Sequence, residues 1–479
     1  MTRTPSPAAA LAPARDAIAI ALCAVVVYSL CAPRILYGPD AFTFFQMAQQ
    51  GHATHWMHLL YVPILRLART LGAPLGIAPF HAFVGASSVS TALGVAFCHR
   101  AAARLGADRR RAALTALVVA CTPAVAFFAV LLEVQGVFFG AVGLAWLAGA
   151  SFARRPSTAR VVGIGLASGL AAMIHGSGHM LPVCVACIAL ALADLRGIAF
   201  GRLVLWAALG ALAHAAVPLT LALTTGLDPL TSVRNSANFV EGSAAGAGGL
   251  SHLGTILLDE WVYSFAPFCA LIYLAARRRE LRRMVLAIHV PLAAYLFVSW
   301  SLLGYTFGVH GIEHGAYFLP LAFPLAWATA RALPVPVTLT ACILSAAIGT
   351  WHVRHECDAR PRQFESRAVV EALGSNRGLL VVRDAKEGEL LSLDEPELAL
   401  IPFDVIVGGS PRSFEDIVAG IGAQIDGLLV LGRPVAFAAS VYEPLLDVHD
   451  RFPTWLEGRY RVELREVRGF RCYMVRAAR

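Results

Sequence analysis

Two carboxylates stand out in a chain that carries few charges. Asp40 follows Gly38-Pro39 at the head of a run in which Phe42, Phe45 and Met47 alternate with Gln46, Gln49 and Gln50. That pattern predicts a short helix lying on a membrane surface, with Pro39 at its first position and Asp40 in its first turn. The helix dipole favours an ionised carboxylate there, by a few tenths to about 1 kcal/mol, and such a group could also act as a general base. Glu133 stands alone between the apolar runs 112–132 and 134–150, so the chain must turn at it if both are to cross a membrane. An ionisable group at that depth is costly and reads by default as functional, the plain alternative being a hairpin tip in headgroup water.

Histidine recurs in the same kind of place. His52, His55 and His58 surround Trp56, a cluster that could bind a divalent cation or simply suit an interface. His175 and His179 flank Gly176-Ser177-Gly178 between two apolar runs, and His314 lies in the segment His310-Gly-Ile-Glu313-His314-Gly-Ala-Tyr317. Arg34 closes the first apolar run, while Arg66 and Arg69 interrupt an amphipathic stretch, 58–71, that reads as interfacial. Arg234-Asn235 precedes a Gly/Ala/Ser-rich centre at 242–249.

The elements that must position these groups belong to a membrane. Of 479 residues, 57% are hydrophobic and 15% charged, with a mean hydropathy of +0.65. The charged fraction falls far below the roughly 25% of a soluble domain, which excludes a wholly soluble enzyme. Eleven apolar stretches approach the length needed to span a bilayer: 16–33, 79–98, 112–131, 134–151, 161–175, 179–194, 203–225, 261–276, 284–303, 317–332 and 335–351. With the N-terminus inside, 18 Arg of residues 1–355 fall in cytoplasmic segments, clustered at 100–111, 154–160, 196–202 and 277–283. Five (Arg34, Arg66, Arg69, Arg234 and Arg354) fall outside. This bias orients the chain and leaves residues 356–479 on the outer face. The sole Lys is Lys386, and the net charge of +8 reads as an Arg bias with no nucleic-acid partner.

Beyond residue 355 the acids outnumber the bases, 20 to 16, and strand and helix signals alternate. Strands are expected at 379–382, 403–407 and 434–441, a helix at 414–425 capped by Ser413, another from 443 ending at Pro453, and a hairpin of 459–467 and 470–475 around Arg468-Gly469. The expected architecture is an α-helical polytopic membrane protein of about 11 transmembrane helices, 1–355, with a small extracytoplasmic α/β domain, 356–479. Gly408-Gly409 after a strand is only a weak phosphate-loop signal. Cys357 and Cys472, the only cysteines of this part, lie where an oxidising compartment permits a bridge.

An acid just beyond the first span, an interfacial helix, a Glu at the turn between the third and fourth spans and an outer C-terminal domain together resemble the integral-membrane GT-C glycosyltransferases. The likeness is nearest to bacterial proteins related to protein O-mannosyltransferases, and it covers residues 16–195. Asp40 matches the family's acid, and His55 to Tyr61 occupies the place of a His-Pro-Pro-Gly-Tyr-type segment without its Pro-Pro-Gly. Glu133-Val134-Gln135, preceded by Thr122-Pro123, compares with Glu-Val-Tyr, and Gly169-Leu170 with His175 compares with a later Gly-Leu and His. The resemblance implies transfer of a sugar from a polyprenyl-phosphate donor in the bilayer to a hydroxyl of a glycan, lipid or protein on the outer face. Asp40 would then be the base and Glu133 its support, by orienting the acceptor, holding a divalent cation or assisting proton transfer; no other cofactor is implied. Arg34, His55, His58, Arg66, His175, Arg234 and His314 would bind the donor phosphate or the acceptor. The other readings are a GT-C relative without catalysis that serves in assembly, and a transporter; nearly all the acids fall at the outer face instead of mid-membrane, and no related halves are visible.

Overall fold

The computed structural model describes residues 7–33, 39–55, 58–196, 198–225, 253–254, 256–306, 314–358, 369–374, 378–382, 399–402, 414–439, 442 and 451–478. Two compact units emerge, residues 1–33 with 44–354, and residues 34–43 with 355–479.

The helices in chain order are α1 (Pro7–Cys31), α2 (Pro39–Gln50), α3 (Tyr61–Gly72), α4 (Pro79–Arg104), α5 (Arg109–Cys121), α6 (Pro123–Ala129), α7 (Val134–Arg154), α8 (Thr158–Ile174), α9 (Leu181–Leu192) and α10 (Phe200–Thr225). A π-helix, Ile256–Tyr263, and the helices Phe268–Ala275, Arg279–Thr306, Ala322–Ala332 and Val335–Asp358 follow. Every apolar stretch expected from the sequence falls on a helix, but not on equal ones. Among the described residues, five helices are long and apolar enough to cross a membrane unaided: those containing Ala14–Cys31, α4, α7, α10 and Val335–His355. Two bent pairs, α5 with α6 at 67° and Ile256–Tyr263 with Phe268–Ala275 at 75°, are long and apolar enough when taken together, as broken spans or re-entrant loops. α8 and α9 are shorter, at 17 and 12 residues.

Lipid chains are as apolar as leucine, so helices in a bilayer hold together by close packing and by hydrogen bonds between them. α4 and α7 do so along a seam of small residues. A Cβ at Gly140 would lie 2.8 Å from the carbonyl oxygen of Ser90, and one at Gly143 would lie 2.5 Å from that of Gly94. The two backbones therefore touch. Leu205, Leu212, Leu219 and Leu223 of α10 are exposed, as a lipid-facing surface requires.

The bend between α5 and α6 follows from Pro123. A residue before proline is driven from helical geometry, and Thr122 sits at φ −59°, ψ 126°. The bend frees backbone carbonyls in a region without water, where each must find a donor. Thr122 Oγ1 donates to Val118 O (2.8 Å), the Tyr28 hydroxyl to Ala120 O (3.1 Å) and Ser345 Oγ to Cys121 O (2.6 Å). The next break, from Ala129 to Val134, is held by a hydroxyl ridge on α4. Ser88 Oγ donates to Ala129 O (2.7 Å), Ser87 Oγ to Glu133 O (3.3 Å) and Thr91 Oγ1 to Gly136 O (3.0 Å).

The second unit holds a five-stranded sheet in the order β2-β1-β3-β5-β4, from β1 (Leu379–Val382), β2 (Ala399–Pro402), β3 (Val435–Ala438), β4 (Tyr460–Val467) and β5 (Phe470–Ala477). β1 runs parallel to β2 and β3, and β5 antiparallel to β3 and β4. One face packs on Ile421 and Ile425 of the helix Phe414–Val430 and on Phe452 and Leu456 of Arg451–Arg459; the other meets Val369, Val370 and Leu373. The strand expected at 403–407 and the glycine pair at 408–409 lie outside the described residues, and the observed strand is Ala399–Pro402. Pro453 does not end a helix: it sits in the first turn of one, where a missing N–H costs nothing. Arg468 and Gly469 turn the closing hairpin with φ of 52° and 82°. Cys472 is buried in β5, while the side chain of Cys357 lies outside the described residues.

The α4–α7 seam makes a paired prediction. Gly140→Ala must push the helices apart, at a cost of about 1–3 kcal/mol for overpacking. Gly163→Ala meets nothing nearer than Ala148 Cβ at 3.9 Å. Thermal unfolding in detergent should show a clearly lowered midpoint for the first and a nearly unchanged one for the second; equal midpoints would reject the seam.

Candidate functional site

Four pieces of chain meet at the end of the helix bundle remote from the arginine-rich turns. They are the α2–α3 segment, the break before α7, the turn after α8 and the 3-10 turn Ala316–Leu321. The first is folded on itself around Phe44 of α2, whose ring stands edge-on to Tyr61 (4.7 Å between centroids), His55 (5.1 Å) and His58 (5.4 Å). His55 stacks on His58 at 5.3 Å and 12°, and His58 stacks on His175 at 5.4 Å and 17°. Three of the histidines singled out in the sequence thus form one column.

Backbone needs explain why the column forms. The last carbonyls of a helix have no partner within it. Those of α8 are met by the α2–α3 segment: Leu60 N–H donates to Met173 O (3.0 Å) and His58 Nδ1–H to Ile174 O (3.0 Å). His175 leaves α8 in extended geometry, and its Nδ1 caps the following 3-10 turn by accepting from Ser177 N–H (3.2 Å), with Ser177 Oγ at 2.7 Å. On the other side His175 meets Phe138 of α7 (5.3 Å) and Tyr317 (5.8 Å). Tyr317 is delivered by Gly315, which has φ of 81° and donates its N–H to the buried carboxylate of Glu260 at 2.5 Å.

Glu133 is not a hairpin tip in water. It occupies the N-cap position of α7 with φ −142°, ψ 148°, and only 6% of it is exposed. Its carboxylate reaches Tyr61 electrostatically: burial first, then Glu133, pushes the Tyr61 phenol well above its usual range. Burial, reinforced by the neighbouring His175 and His55, drives His58 well below the usual imidazole range, and burial alone lowers His175 to about 4. Both rings are neutral at pH 7.

The other expected residues are distributed differently. His314 lies apart from the column, in the left-handed region at φ 47° and against Phe127 (4.6 Å) and His352 (5.0 Å). Arg66 braces the α2–α3 segment by donating to His52 O (3.2 Å), as Arg69 does to Gln49 O (3.2 Å). Asp40 lies in the first turn of α2 as expected, but its side chain falls outside the described residues, as do Arg34 and Arg234. Among the described residues no three His, Cys, Asp or Glu side chains form a metal site. Rings stacked face to face hold their in-plane lone pairs side by side and do not converge them on one ion, so the column does not fit a metal. Sequence reasoning missed Phe44, Tyr61, Glu260 and Tyr317, and also Ser87, Ser88 and Thr91. The last three carried a signal, since hydroxyls at i, i+1 and i+4 share one side of an otherwise apolar span.

No protein-family model matches the sequence, and no curated protein does. Solved structures do match. ArnT from Cupriavidus metallidurans bound to undecaprenyl phosphate superposes with a TM-score of 0.56 at 13% identity, covering 98% of this chain and 99% of that one. Its apo state gives 0.56 at 14% identity over 98% of both chains. The Archaeoglobus fulgidus oligosaccharyltransferase in complex with Zn and sulfate gives 0.50 at 13% identity, over 95% of this chain and 72% of that one. The chain adopts the GT-C fold. Identity this low carries the fold and not the chemistry, so the site must be argued from its own residues. Within this fold the imidazole column, the buried Glu133 and the Glu260-anchored turn gather buried polar groups at one end of the bundle, with neutral nitrogens and a carboxylate acting on a phenol.

The buried imidazoles fix a pH dependence. Between about pH 6.5 and 4 the unfolded chain binds protons at His175 that the folded chain does not, so stability must fall as the pH drops through that window. His58 adds to the same slope, up to about 1.4 kcal/mol per pH unit for each ring. His175→Gln should flatten the decline of the thermal midpoint between pH 7 and 4.5. An unaltered slope would contradict the buried neutral ring.

Proposed function

We propose that this protein is an integral-membrane glycosyltransferase that moves a sugar from a polyprenyl-phosphate donor to an acceptor hydroxyl, on a glycan, lipid or protein, at the outer face of the membrane. The observation that carries this reading is a fold likeness running through 98% of this chain and 99% of an ArnT seen with undecaprenyl phosphate. The polar groups buried at the bundle end opposite the arginine-rich turns support it, because transfer at the outer face needs polar groups at that end. The Arg bias supports an N-terminus in the cytoplasm, residues 1–355 as the membrane domain and residues 356–479 as an extracytoplasmic α/β domain.

Asp40 acts as the general base that takes the hydroxyl proton, with the N-terminal dipole of α2 favouring its ionised form. Glu133, buried at the head of α7, orients the acceptor or assists proton transfer. Arg34, Arg66, Arg234 and His314 supply positive charge or N–H donors for the departing phosphate, whose developing charge is what such donors stabilise.

Label transfer from polyprenyl-phosphate sugars by the purified protein tests the reaction. Asp40→Asn, normally folded, should lose at least roughly a hundredfold of transfer, as replacement of a general base does, and Glu133→Gln should lose less. Removing a mere dipole partner would cost at most about 1 kcal/mol of stability and little turnover. Near-normal transfer in Asp40→Asn would refute its role, and absence of transfer from every such donor would favour an assembly subunit. A reporter joined after Arg479 and active only in the cytoplasm would overturn the orientation.

A further inference from the structure

The second unit carries its exposed apolar surface largely at one point. Among its described residues three large apolar side chains are exposed, Val430 (86%), Leu431 (69%) and Leu464 (56%). The first two are consecutive and end the helix Phe414–Val430, in the run Gly427-Leu428-Leu429-Val430-Leu431-Gly432. Leu428 and Leu429 pack partly against the core of the unit and hold the tip in place. Single exposed leucines are ordinary on a soluble surface, but a run of apolar residues that ends on its two most exposed members is not.

The turn that ends this helix is suited to leaving water. Gly432, at φ 68°, donates its N–H to Leu429 O (3.0 Å), and Arg433 N–H donates to Leu428 O (2.9 Å). That closure meets two of the carbonyls that a helix C-terminus otherwise leaves to solvent. Pro434 follows, with no N–H to satisfy, and its carbonyl accepts from Leu379 N–H (3.0 Å), which ties the tip to the sheet through β1. The acid nearest in sequence, Asp426, is held by the Arg459 guanidinium and the Tyr460 hydroxyl (2.8 Å), whereas Arg433 is exposed. An apolar tip edged by a cation matches the boundary between acyl chains and lipid phosphates.

Size and attachment select the partner. A stable contact with another protein takes about 20–30 residues a side, and this tip offers four. A fluid bilayer asks for no complementary shape. The unit is also chained to the membrane: the helix Val335–Asp358 contains the span Val335–His355, and the ten residues 359–368 separate it from the described part of the α/β domain that begins at Val369. Even fully extended, that connection reaches at most about 40 Å. We propose that Val430 and Leu431 insert into the leaflet on their own side of the membrane, with Arg433 at the lipid phosphates, and anchor the α/β domain to the bilayer surface at a second point besides its chain. Insertion of about 5–10 Å, as for interfacial helices, is enough to cover both side chains. The anchor rests neither on the glycosyltransferase reading nor on the roles given to the site residues.

Thiol labelling tests it in the full chain. Leu431→Cys and Leu464→Cys are each reconstituted into liposomes of phosphatidylcholine and phosphatidylglycerol and treated with a charged, membrane-impermeant maleimide, and peptide mass spectrometry reads each position apart from the native cysteines. Position 431 is the more exposed of the two in the protein itself, so a tip in water labels at least as fast as position 464. Insertion reverses that order. Labelling at 431 should be slower by at least about tenfold, since withdrawing one leucine side chain from water is worth that much. Adding Val430→Asp to the Leu431→Cys chain should bring the rate at 431 back to that at 464, because a carboxylate resists leaving water. Labelling at 431 as fast as at 464 overturns the proposal, whether or not the protein transfers sugar. Protection that disappears in nanodiscs holding a single copy assigns the tip to a second copy and overturns it equally, and so does protection that Val430→Asp leaves intact.

Discussion

Backbone carbonyls freed inside a membrane must be met by donors from neighbouring helices, and the functional end of this protein is organised by that requirement. Between Val118 and Gly136 the chain breaks helical geometry twice, once at Thr122-Pro123 and once before Glu133. Hydroxyls from α1, from α4 and from the helix Val335–Asp358 meet the carbonyls so released. The same rule operates at the end of α8, where the α2–α3 segment closes Met173 and Ile174. Each repair delivers a side chain as well as a hydrogen bond. Ser87 fixes the carbonyl of Glu133 and so the depth of its carboxylate, and closure of Ile174 seats His58 in the column. Scaffold and site are one network of satisfied backbone groups.

Burial sets the electrostatics of that network. A carboxylate and three imidazoles gathered in a polar, solvated cleft would form ion pairs. Here His58 and His175 are buried and neutral, and the nearest titratable neighbour of Glu133 for which a shift is resolved is a phenol held protonated. Neutral imidazoles so held offer hydrogen bonds to their surroundings without placing a net charge in the bundle.

Much of this was legible in the sequence, and the failures have physical causes. Helix positions followed from apolar runs, and Asp40, Glu133 and the three histidines were singled out because polar groups interrupting such runs are costly. The bend at Pro123 was not foreseen as a bend, because hydropathy measures composition and is blind to direction. For Glu133 a hairpin tip in headgroup water stayed open as the alternative to a functional group on the same ground: a hairpin tip and a buried N-cap have identical local sequence, and the difference lies in tertiary packing. Stacking of His55 and His58 on His175 spans more than a hundred residues of chain and rests on tertiary hydrogen bonds that no periodicity encodes. Glu260 was not singled out among the acids; its partner, Gly315 N–H, is 55 residues away.

The relative lengths of α8 and α10 explain why such a site can stay dry. The two helices run in the same direction and are in register where Gly169 meets the backbone of His214. From there α8 continues five residues to Ile174 and α10 continues eleven to Thr225. At 1.5 Å per residue α10 overshoots by about 9 Å. Its Val217 and Leu221 pack on the cluster of Leu59, Ala172 and Met173 beneath the column. The turn that carries His175 therefore sits below the rim of the bundle, walled by an apolar helix whose outer face exposes leucines. Burial of the His58 and His175 rings strengthens each hydrogen bond made to their nitrogens and penalises each one left unmade.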